Sequence, residues 1–184
     1  LLNKYDNYAL SVSATTRNPR PGEENGREYF FLTESQFEDM IKNDELIEHA
    51  RYVDHYYGTP KKYVEEKMAA GKDVILEIEI QGALNIKKKF PDALLVFIVP
   101  PTAEDLKKRL TGRGTESAEV IEKRLRRAAE ESDGMDSYDY IVVNDDIDTC
   151  VEDLHSLIRS SHFKESANTD LVARMKQELH DMTK

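Results

Sequence analysis

Two arginines three positions apart, Arg17 and Arg20, lie in a turn-rich loop after a short strand-like run, and Tyr29 follows nine residues later. Guanidinium groups are planar, permanently charged donor forks that suit a dianionic phosphate better than lysine does. A tyrosine hydroxyl adds a neutral donor, and the prolines and glycines between these residues keep the loop out of helix. The pattern predicts a phosphate clamp, with a solvated basic surface loop as the alternative.

A second set of polar side chains alternates with apolar ones along a predicted strand over 74–80. The pattern predicts that Glu77, Glu79 and Gln81 project from one face at the C-terminal end of this strand. Open parallel sheets bind ligands at that end. Two carboxylates there could act as bases, hold a cation through water, or accept hydrogen bonds from a purine and from the arginines. The solvated face of an amphipathic edge strand is the alternative.

The elements that position these residues alternate between strands and helices. A helix is predicted over 33–42, with Thr33 as its N-cap and Gln36 completing a capping box. Strands separated by helices imply right-handed crossovers and a parallel sheet, which is the α/β class. The other predictions are a helix from Pro60 to Gly71, helices over 103–110, 117–131 and 171–182, and buried strands over 93–99 and 139–143. The last of these strands is expected to lead into a helix with Ile147, Val151, Leu154 and Ile158 on its apolar side.

Composition excludes several classes of protein. The 184 residues are 39% hydrophobic, enough for one domain with a core, and no apolar run reaches membrane-spanning length. A net charge of -10 argues against a general binder of nucleic acid or anionic membrane. Eight basic residues nevertheless fall within 107–127, which predicts one local anion site. The single Cys150 excludes an internal disulfide and fits a reducing compartment, and the histidines show no metal-ligand spacing.

The segment SVSATTRNPRPGEENGREYFF closely resembles the GMP-binding segment of guanylate kinases. Four further blocks continue the resemblance in order: IEHARYVDHYYGTP, VILEIEIQG, PPTAEDLKKRLTGRGTES and VVNDD. The resemblance implies a P-loop-kinase-like parallel sheet core flanked by helices, with a small mixed GMP-binding subdomain and a helical lid. It implies one domain over 1–184, in which the core takes 1–12, 69–106 and 128–184, the GMP-binding subdomain takes 13–68 and the lid takes 107–127.

By the same resemblance, Glu48 matches the carboxylate that reads guanine, whereas its local sequence alone indicates a surface glutamate at a helix end. A carboxylate can accept from both N1-H and the exocyclic amine of guanine, but adenine presents an acceptor at N1. A buried mismatch of this kind supports discrimination on the order of 10⁴. The substrate-binding residues that the resemblance implies are Ser13, Arg17, Arg20, Tyr29, Glu48, Tyr57, Thr59, Glu77 and Glu79.

The basic segment is expected to form the donor side of the site. The resemblance assigns Arg109, Arg113 and Arg124 to the lid, and these residues together with Arg17 are expected to stabilise the charge of phosphoryl transfer. Asn144 matches a residue beside the adenine of ATP, and capping of its loop is an equally good account. The glutamates at 77 and 79 match acidic positions near GMP and the magnesium-coordinated phosphates.

The function that the resemblance implies is transfer of the γ-phosphoryl group of ATP to GMP, with Mg²⁺ accompanying ATP, in the cytoplasm. Guanylate kinases carry a Gly-rich loop ending in Gly-Lys-Ser/Thr, which the sequence does not contain, so the chain alone is expected to bind GMP but to be inactive. The same observation favours the alternative, a non-catalytic guanylate-kinase-like interaction domain that binds phosphorylated peptide at the GMP site. The complete set of guanine-reading and lid residues favours the enzyme.

Overall fold

The structure is a computed structural model that describes residues 1–52, 54–112 and 118–183, and the chain divides into two compact units, Leu1–Lys89 and Phe90–Lys184. Both units combine helices with small sheets, which confirms the α/β class. The elements of the first unit are β1 (Tyr8–Leu10), β2 (Ser13–Thr15), β3 (Tyr29–Phe31), α1 (Glu34–Lys42), β4 (Leu46–Tyr52), β5 (His55–Pro60), α2 (Lys61–Ala69), β6 (Asp73–Ile75) and α3 (Ile80–Lys89). The elements of the second unit are β7 (Val96–Val99), α4 (Ala103–Gly112), α5 (Ala118–Ser132), β8 (Tyr140–Val143), α6 (Ile147–Ser161) and α7 (Thr169–Asp181).

The first helix begins at a complete capping box, as the sequence predicts. Thr33 Oγ1 accepts a hydrogen bond from the Gln36 backbone N–H at 3.2 Å, and Gln36 Oε1 accepts from the Thr33 backbone N–H at 2.9 Å. The apolar side of α1 carries Phe37, which is fully buried and stacks on Tyr56 with ring centroids 5.1 Å apart. The core of this unit also contains Ala14 and Leu46, with Phe30, Leu32, Met40 and Ile41 packed against it.

A four-stranded mixed sheet lies at the centre of the first unit, in the order β3-β2-β5-β4. The ladder between β2 and β3 is parallel, whereas β5 runs antiparallel to both β2 and β4. One face of this sheet meets α1 through the core cluster, because Ala14 and Phe30 belong to that cluster. The opposite face is therefore available for polar side chains.

The predicted strand over 74–80 is wrong in its extent. β6 pairs in parallel with β1, the last rung joins Leu10 to Ile75, and Ser11 N–H donates to the Ile75 carbonyl at 2.8 Å. The partner strand ends there, so the ladder ends as well. The chain then runs through a short connection to α3, whose first turn includes a bond from Ala83 N–H to the Glu79 carbonyl at 3.0 Å. Gln81, predicted to extend the strand face, lies in that helix.

The strands β7 and β8 of the second unit form a parallel ladder, but the prediction that they are buried on both faces is wrong. Val142 is 4% exposed, and α6 packs against β8. Ile141 and Val143 alternate with Val142 and are 49% and 50% exposed, and Ile98 of β7 is 48% exposed. A two-stranded ladder has one face against this helix, so its alternate side chains point away from it.

Capping residues begin two helices of the second unit, and the cap at Thr102 is the one that the sequence predicts. Thr102 Oγ1 accepts from the Asp105 N–H at 3.1 Å before α4, and Asp146 Oδ1 accepts from the Thr149 N–H at 2.9 Å at the start of α6. Cys150 lies in α6, where it is 3% exposed and free, and burial raises the pKa of its thiol. Within the described ranges, no helix is long and apolar enough to cross a membrane.

Candidate active site

One face of the mixed sheet collects four of the predicted site residues together with Thr15. Ser13 pairs with Tyr29, and Thr15 pairs with Tyr57. Paired residues point to the same face, and side chains alternate along a strand. Ser13, Thr15, Tyr29, Tyr57 and Thr59 therefore share one face, which we call the tyrosine face. The rings of Tyr29 and Tyr57 meet edge to face on it, with centroids 6.2 Å apart.

Arg17 is held over the tyrosine face from several sides. Its backbone N–H donates to Thr15 Oγ1 at 3.2 Å, which fixes the chain as it leaves β2. Its guanidinium carbon lies 5.3 Å from the ring centroid of Tyr29 and 5.7 Å from that of Phe31, within the range of a cation–π contact. Nη1 also donates to the Asn18 carbonyl at 2.7 Å. The guanidinium is consequently positioned before any ligand arrives.

Glu23 connects the two predicted clamp arginines and was missed by the sequence analysis. Its two carboxylate oxygens accept from Arg17 Nη1 and Nη2, both at 3.0 Å, and Oε2 also accepts from the Arg20 backbone N–H at 2.7 Å. These bonds, with the Arg17 side chain first, lower the pKa of Glu23, and the Glu23 carboxylate raises the pKa of Arg17. The Arg20 residue itself is exposed.

The signal that could have found Glu23 is the turn that contains it. The Glu23 N–H donates to the Arg20 carbonyl at 3.0 Å, and Gly22 has a φ of 89°. Proline at the second position and glycine with positive φ at the third are typical of a type II turn, and Pro21 and Gly22 occupy those positions. Such a turn brings its first and fourth residues together, which places a carboxylate beside the arginine loop.

The phenol of Tyr29 stays protonated at neutral pH. Burial is the main cause that raises the pKa of Tyr29, and the neighbouring Tyr57 and Glu77 raise it further, while Arg17 opposes the shift. A raised pKa keeps the Tyr29 hydroxyl protonated. The Tyr29 and Tyr57 rings and the Arg17 guanidinium lie close to one another on this face.

Glu48 lies buried in a strand, so its interpretation as a surface glutamate at a helix end is wrong. Leu46 pairs with Pro60 and His49 with Gly58, so that two residues of β4, one of them Glu48, stand opposite Thr59 alone. Such a bulge re-aims a side chain. Glu48 is 6% exposed, and its Oε1 accepts from Thr59 Oγ1 at 2.8 Å, which brings the carboxylate to the tyrosine face.

The charge of Glu48 is poorly solvated. Burial raises the pKa of its carboxyl above the ordinary value, and the Thr59 hydrogen bond and the positive charge of Lys89 oppose the rise. Lys89 Nζ itself donates to the Ile47 carbonyl at 2.7 Å, at the bulge. A partly desolvated carboxylate in such a position binds donor groups of a ligand more strongly than an exposed one does.

The predicted glutamates beyond β6 are exposed. Glu77 lies in the connection between β6 and α3, and the carbonyl of Glu79 accepts a bond from the first turn of that helix. The negative charge of Glu77 contributes to the pKa of Tyr29, so this carboxylate is near the tyrosine face. Among the described residues, no group of three or more histidine, cysteine or acidic side chains could hold a metal ion.

The remaining predicted residues belong to the second unit. Arg109 lies in α4 and its Nη2 reaches the Asp145 carbonyl at 3.5 Å, a long contact, while Arg124 is exposed on α5. Asn144 follows β8, and its backbone N–H donates to the Val99 carbonyl at 2.7 Å, which extends the ladder by one bond. Arg113, the third predicted lid arginine, lies outside the described residues.

Comparisons with known proteins identify the family. The guanylate kinase family model matches residues 1–161. The guanylate kinase of Lactococcus lactis subsp. lactis is 50% identical over 159 residues, which are 86% of this chain and 78% of that protein. The guanylate kinase of Caldanaerobacter subterraneus subsp. tengcongensis is 46% identical over 178 residues, which are 97% of this chain and 86% of that protein.

A solved structure agrees with these relatives. The crystal structure of guanylate kinase from Anaplasma phagocytophilum is similar to this structure with a TM-score of 0.72 at 32% identity, over 86% of this chain and 78% of that chain. The resemblance found in the sequence is thereby confirmed at the level of both sequence and fold. This chain belongs to the guanylate kinase family.

Proposed function

We propose that this chain binds GMP on the tyrosine face and accepts the γ-phosphoryl group of ATP onto it, giving GDP and ADP. The observation that carries the proposal is the buried carboxylate of Glu48, bonded to Thr59 at 2.8 Å on the sheet face that also carries the Arg17 clamp. One end of the face thus offers a strong acceptor, and the other offers a cation with hydroxyls. A guanine nucleotide presents donors at its base and a dianion at its phosphate.

Guanine recognition follows from the chemistry of Glu48. Its carboxylate can accept from N1-H and from the exocyclic amine of guanine in one plane, and Thr59 and Ser13 supply hydroxyls for the base edge. Adenine has no N1-H, so its binding would leave a buried charge without a partner. Leaving a charged group unsatisfied in this way costs several kcal/mol.

The phosphate end of GMP is assigned to Arg17, Arg20, Tyr29 and Tyr57. Arg17 gives three N–H donors of its guanidinium to Asn18 and Glu23, and its side chain also hydrogen-bonds with Tyr57. Arg20 is exposed beside it and can swing onto an arriving phosphate. Two arginines and two phenols neutralise a dianion by charge-assisted hydrogen bonds, which are about twice as strong as neutral ones.

The donor side is assigned to Arg109, Arg113 and Arg124 for the transferring phosphate and to Asn144 for the adenine of ATP. Phosphoryl transfer needs positioning and charge stabilisation and no covalent enzyme intermediate, so arginines are sufficient as catalytic groups. Arg17, assigned to the acceptor phosphate, is proposed to help stabilise the charge of the transferring group.

Magnesium is proposed to enter with ATP as part of the substrate. A magnesium ion keeps several waters and takes one or two carboxylates together with substrate phosphates. The exposed Glu77 and Glu79 are the carboxylates assigned to this role. The ion supplies charge neutralisation on the phosphates of ATP.

The proposed division of the chain keeps a P-loop-kinase-like core, a GMP-binding subdomain over 13–68 and a lid over 107–127, in one functional domain. The cytoplasm is the proposed compartment, because ATP and GMP are available there and the single thiol is reduced.

The 184 residues contain no segment ending in Gly-Lys-Ser/Thr. We expect this polypeptide alone to bind GMP and to transfer phosphoryl groups negligibly, because that segment holds the β- and γ-phosphates.

The test is calorimetric titration of the chain with GMP, AMP and a phosphoserine peptide, together with an assay for ADP formation from ATP and GMP. GMP should bind at least about 100-fold more tightly than AMP or the peptide, as expected for a buried polar mismatch. Equal affinities for GMP and AMP would show that Glu48 does not recognise the base. Tight binding of the peptide without selection for guanine would favour the interaction domain, in which Glu48 has no base to read.

A further inference from the structure

Gly82 lies in the first turn of α3, directly against the carboxylate of Glu48. A Cβ atom added at Gly82 would lie 2.9 Å from Glu48 Oε2, 3.4 Å from Glu48 Cδ and 3.5 Å from Ile78 Cδ1. Real Cβ atoms essentially never approach another heavy atom within 3.0 Å. Every amino acid except glycine would therefore displace this carboxylate.

The helix itself gives no reason for a glycine here. Glycine is a poorer helix former than alanine, so its presence in the first turn of α3 disfavours the helix. The backbone of Gly82 does not have a positive φ, and a Cβ at Gly22, Gly71 or Gly112 would meet nothing within 4 Å. Gly58 is also crowded, but by the Glu48 backbone carbonyl and the Phe37 ring, which is a packing requirement. At Gly82 the crowded atoms are the carboxylate oxygen and carbon of the proposed base reader.

The carboxylate of Glu48 is held from its other side. Thr59 Oγ1 donates to Oε1 at 2.8 Å, and Thr59 is fully buried on β5. Glu48 is itself only 6% exposed, so its side chain has little free space around it. The carboxylate of Glu48 thus lies between the Thr59 hydroxyl on β5 and the Cα of Gly82 in α3.

We propose that Gly82 is a specificity-positioning residue: by leaving the space of a Cβ empty, it sets the position of Glu48 Oε2 and thereby the ability of the site to read the 2-amino group of guanine. The inference rests on the proposed function. Hydrogen bonds weaken steeply with misalignment, so a shift of a few tenths of an ångström at Oε2 would weaken its hydrogen bond to the base. The phosphate clamp lies on other residues and is not touched by this change.

The effect should appear in recognition more than in folding. The atom that a new methyl group meets is the end of a flexible side chain, which can rotate away, and alanine improves the helix. A Gly82→Ala variant should therefore fold normally and hold its carboxylate in the wrong place.

The experiment compares Gly82→Ala with Gln81→Ala, a matched control at an exposed position in the same turn of α3. Calorimetric titration with GMP and with IMP, which lacks the 2-amino group, gives a GMP-to-IMP affinity ratio for each protein. Gly82→Ala should lower this ratio roughly tenfold, the effect of about one lost hydrogen bond to a charged group, whereas Gln81→Ala should leave it unchanged. Thermal unfolding should show similar melting temperatures for both variants.

A second variant makes the positioning role directly measurable. Glu48→Asp shortens the side chain, so in the double variant Gly82→Ala with Glu48→Asp the methyl group has room. The effects of the two substitutions on the GMP-to-IMP ratio should then be clearly non-additive, with the double variant less impaired than the two single effects predict.

Three results would overturn the inference: an unchanged ratio in Gly82→Ala, a proportional loss of both nucleotides with a lowered melting temperature, or strict additivity in the double variant. Failure of the proposed function would look different. In that case the wild-type chain itself would not prefer GMP over IMP and AMP.

Discussion

The carboxylate of Glu23 engages the guanidinium of Arg17 at two points, with Nη1–Oε2 and Nη2–Oε1 distances of 3.0 Å each. The side chains of this pair are 14% and 17% exposed, which is well below the exposure of the other ion pairs in the arginine loop. The same carboxylate accepts from the Arg20 backbone N–H. A single acidic residue therefore fixes the guanidinium of Arg17 and the backbone at Arg20, while the Arg20 side chain stays exposed.

Replacing Glu23 with glutamine should weaken GMP binding about five- to tenfold, because an amide offers one acceptor where the carboxylate offers two and its N–H₂ group faces the guanidinium. Calorimetric titration with GMP measures this directly. Glu28→Gln is the matched control, since Glu28 pairs with Arg27 in the same loop and has no proposed contact with the ligand. Tighter binding by Glu23→Gln would mean that Glu23 competes with the phosphate for Arg17.

The acceptor residues should act mainly on affinity. Tyr29→Phe removes one hydroxyl donor, and Arg20→Ala removes an exposed guanidinium that is expected to reach the phosphate. Each change should weaken GMP binding by roughly tenfold, the usual effect of losing one hydrogen bond to a charged group. Melting temperatures should change little, because neither polar group has a described side-chain bond within the structure. Guanosine, which lacks the phosphate, should bind wild type and both variants equally; unequal binding of guanosine would show that these groups do not act on the phosphate.

The lid arginines should act mainly on turnover. In a form of the chain that carries a phosphate-binding loop, Arg109→Ala and Arg113→Ala should each lower kcat by about 100-fold and leave the Kd for GMP unchanged, because their contacts strengthen as charge develops on the transferring group. Steady-state kinetics and GMP titration separate the two quantities. Lys107→Ala, at an exposed position of α4, is the control. A change confined to GMP affinity would contradict the assignment.

Glu48→Gln should lose guanine binding while it stabilises the free protein at neutral pH. The folded carboxyl has a raised pKa, so between the ordinary value of 4.5 and the raised value the folded state binds more protons than the unfolded state. Stability then falls as pH rises through this window, and above it the wild type carries the full cost of a buried charge. The glutamine variant carries no such cost.

Urea unfolding of wild type and Glu48→Gln at about pH 5 and about pH 7.5 checks this sign, since the advantage of the variant should be larger at the higher pH. Glu45→Gln, at an exposed position before β4, should show no such trend. GMP affinity of the wild type should fall at acid pH as Glu48 takes up a proton. If the stability advantage of Glu48→Gln over the wild type instead shrinks as the pH rises, the charged Glu48 carboxylate is more favourable in the folded state than in the unfolded state.

Local signals predicted the helices of this chain better than they predicted its strands. The capping box of Thr33 and Gln36 and the cap at Thr102 depend on residues within one turn, so the sequence is sufficient to find them. The end of β6 depends on where its partner β1 leaves the ladder, and the exposure of Ile141 depends on how many faces of the ladder are covered. The residues next to β6 and Ile141 in the sequence therefore determine neither the end of the strand nor the exposure of the side chain.

The site shows the same division. Spacing alone was enough to propose the Arg17 and Arg20 clamp, because both residues lie in one loop, and the clamp stays a prediction. The burial of Glu48 came from the resemblance only, since it depends on a bulge opposite Thr59, eleven residues away. Glu23 had a local signal in its turn, but its partner choice depends on the cation–π contact that holds the Arg17 guanidinium over Tyr29.

The buried thiol of Cys150 can report on local opening of helix α6. It is the only cysteine in the sequence, it lies in α6 of the second unit, and its thiol is 3% exposed with a raised pKa. A disulfide reagent can therefore react with the Cys150 thiol only after α6 opens locally. The labelling rate measures the opening of α6 without any engineered probe. A comparison of that rate with and without GMP would reveal whether a ligand bound in the first unit restrains motion in the second.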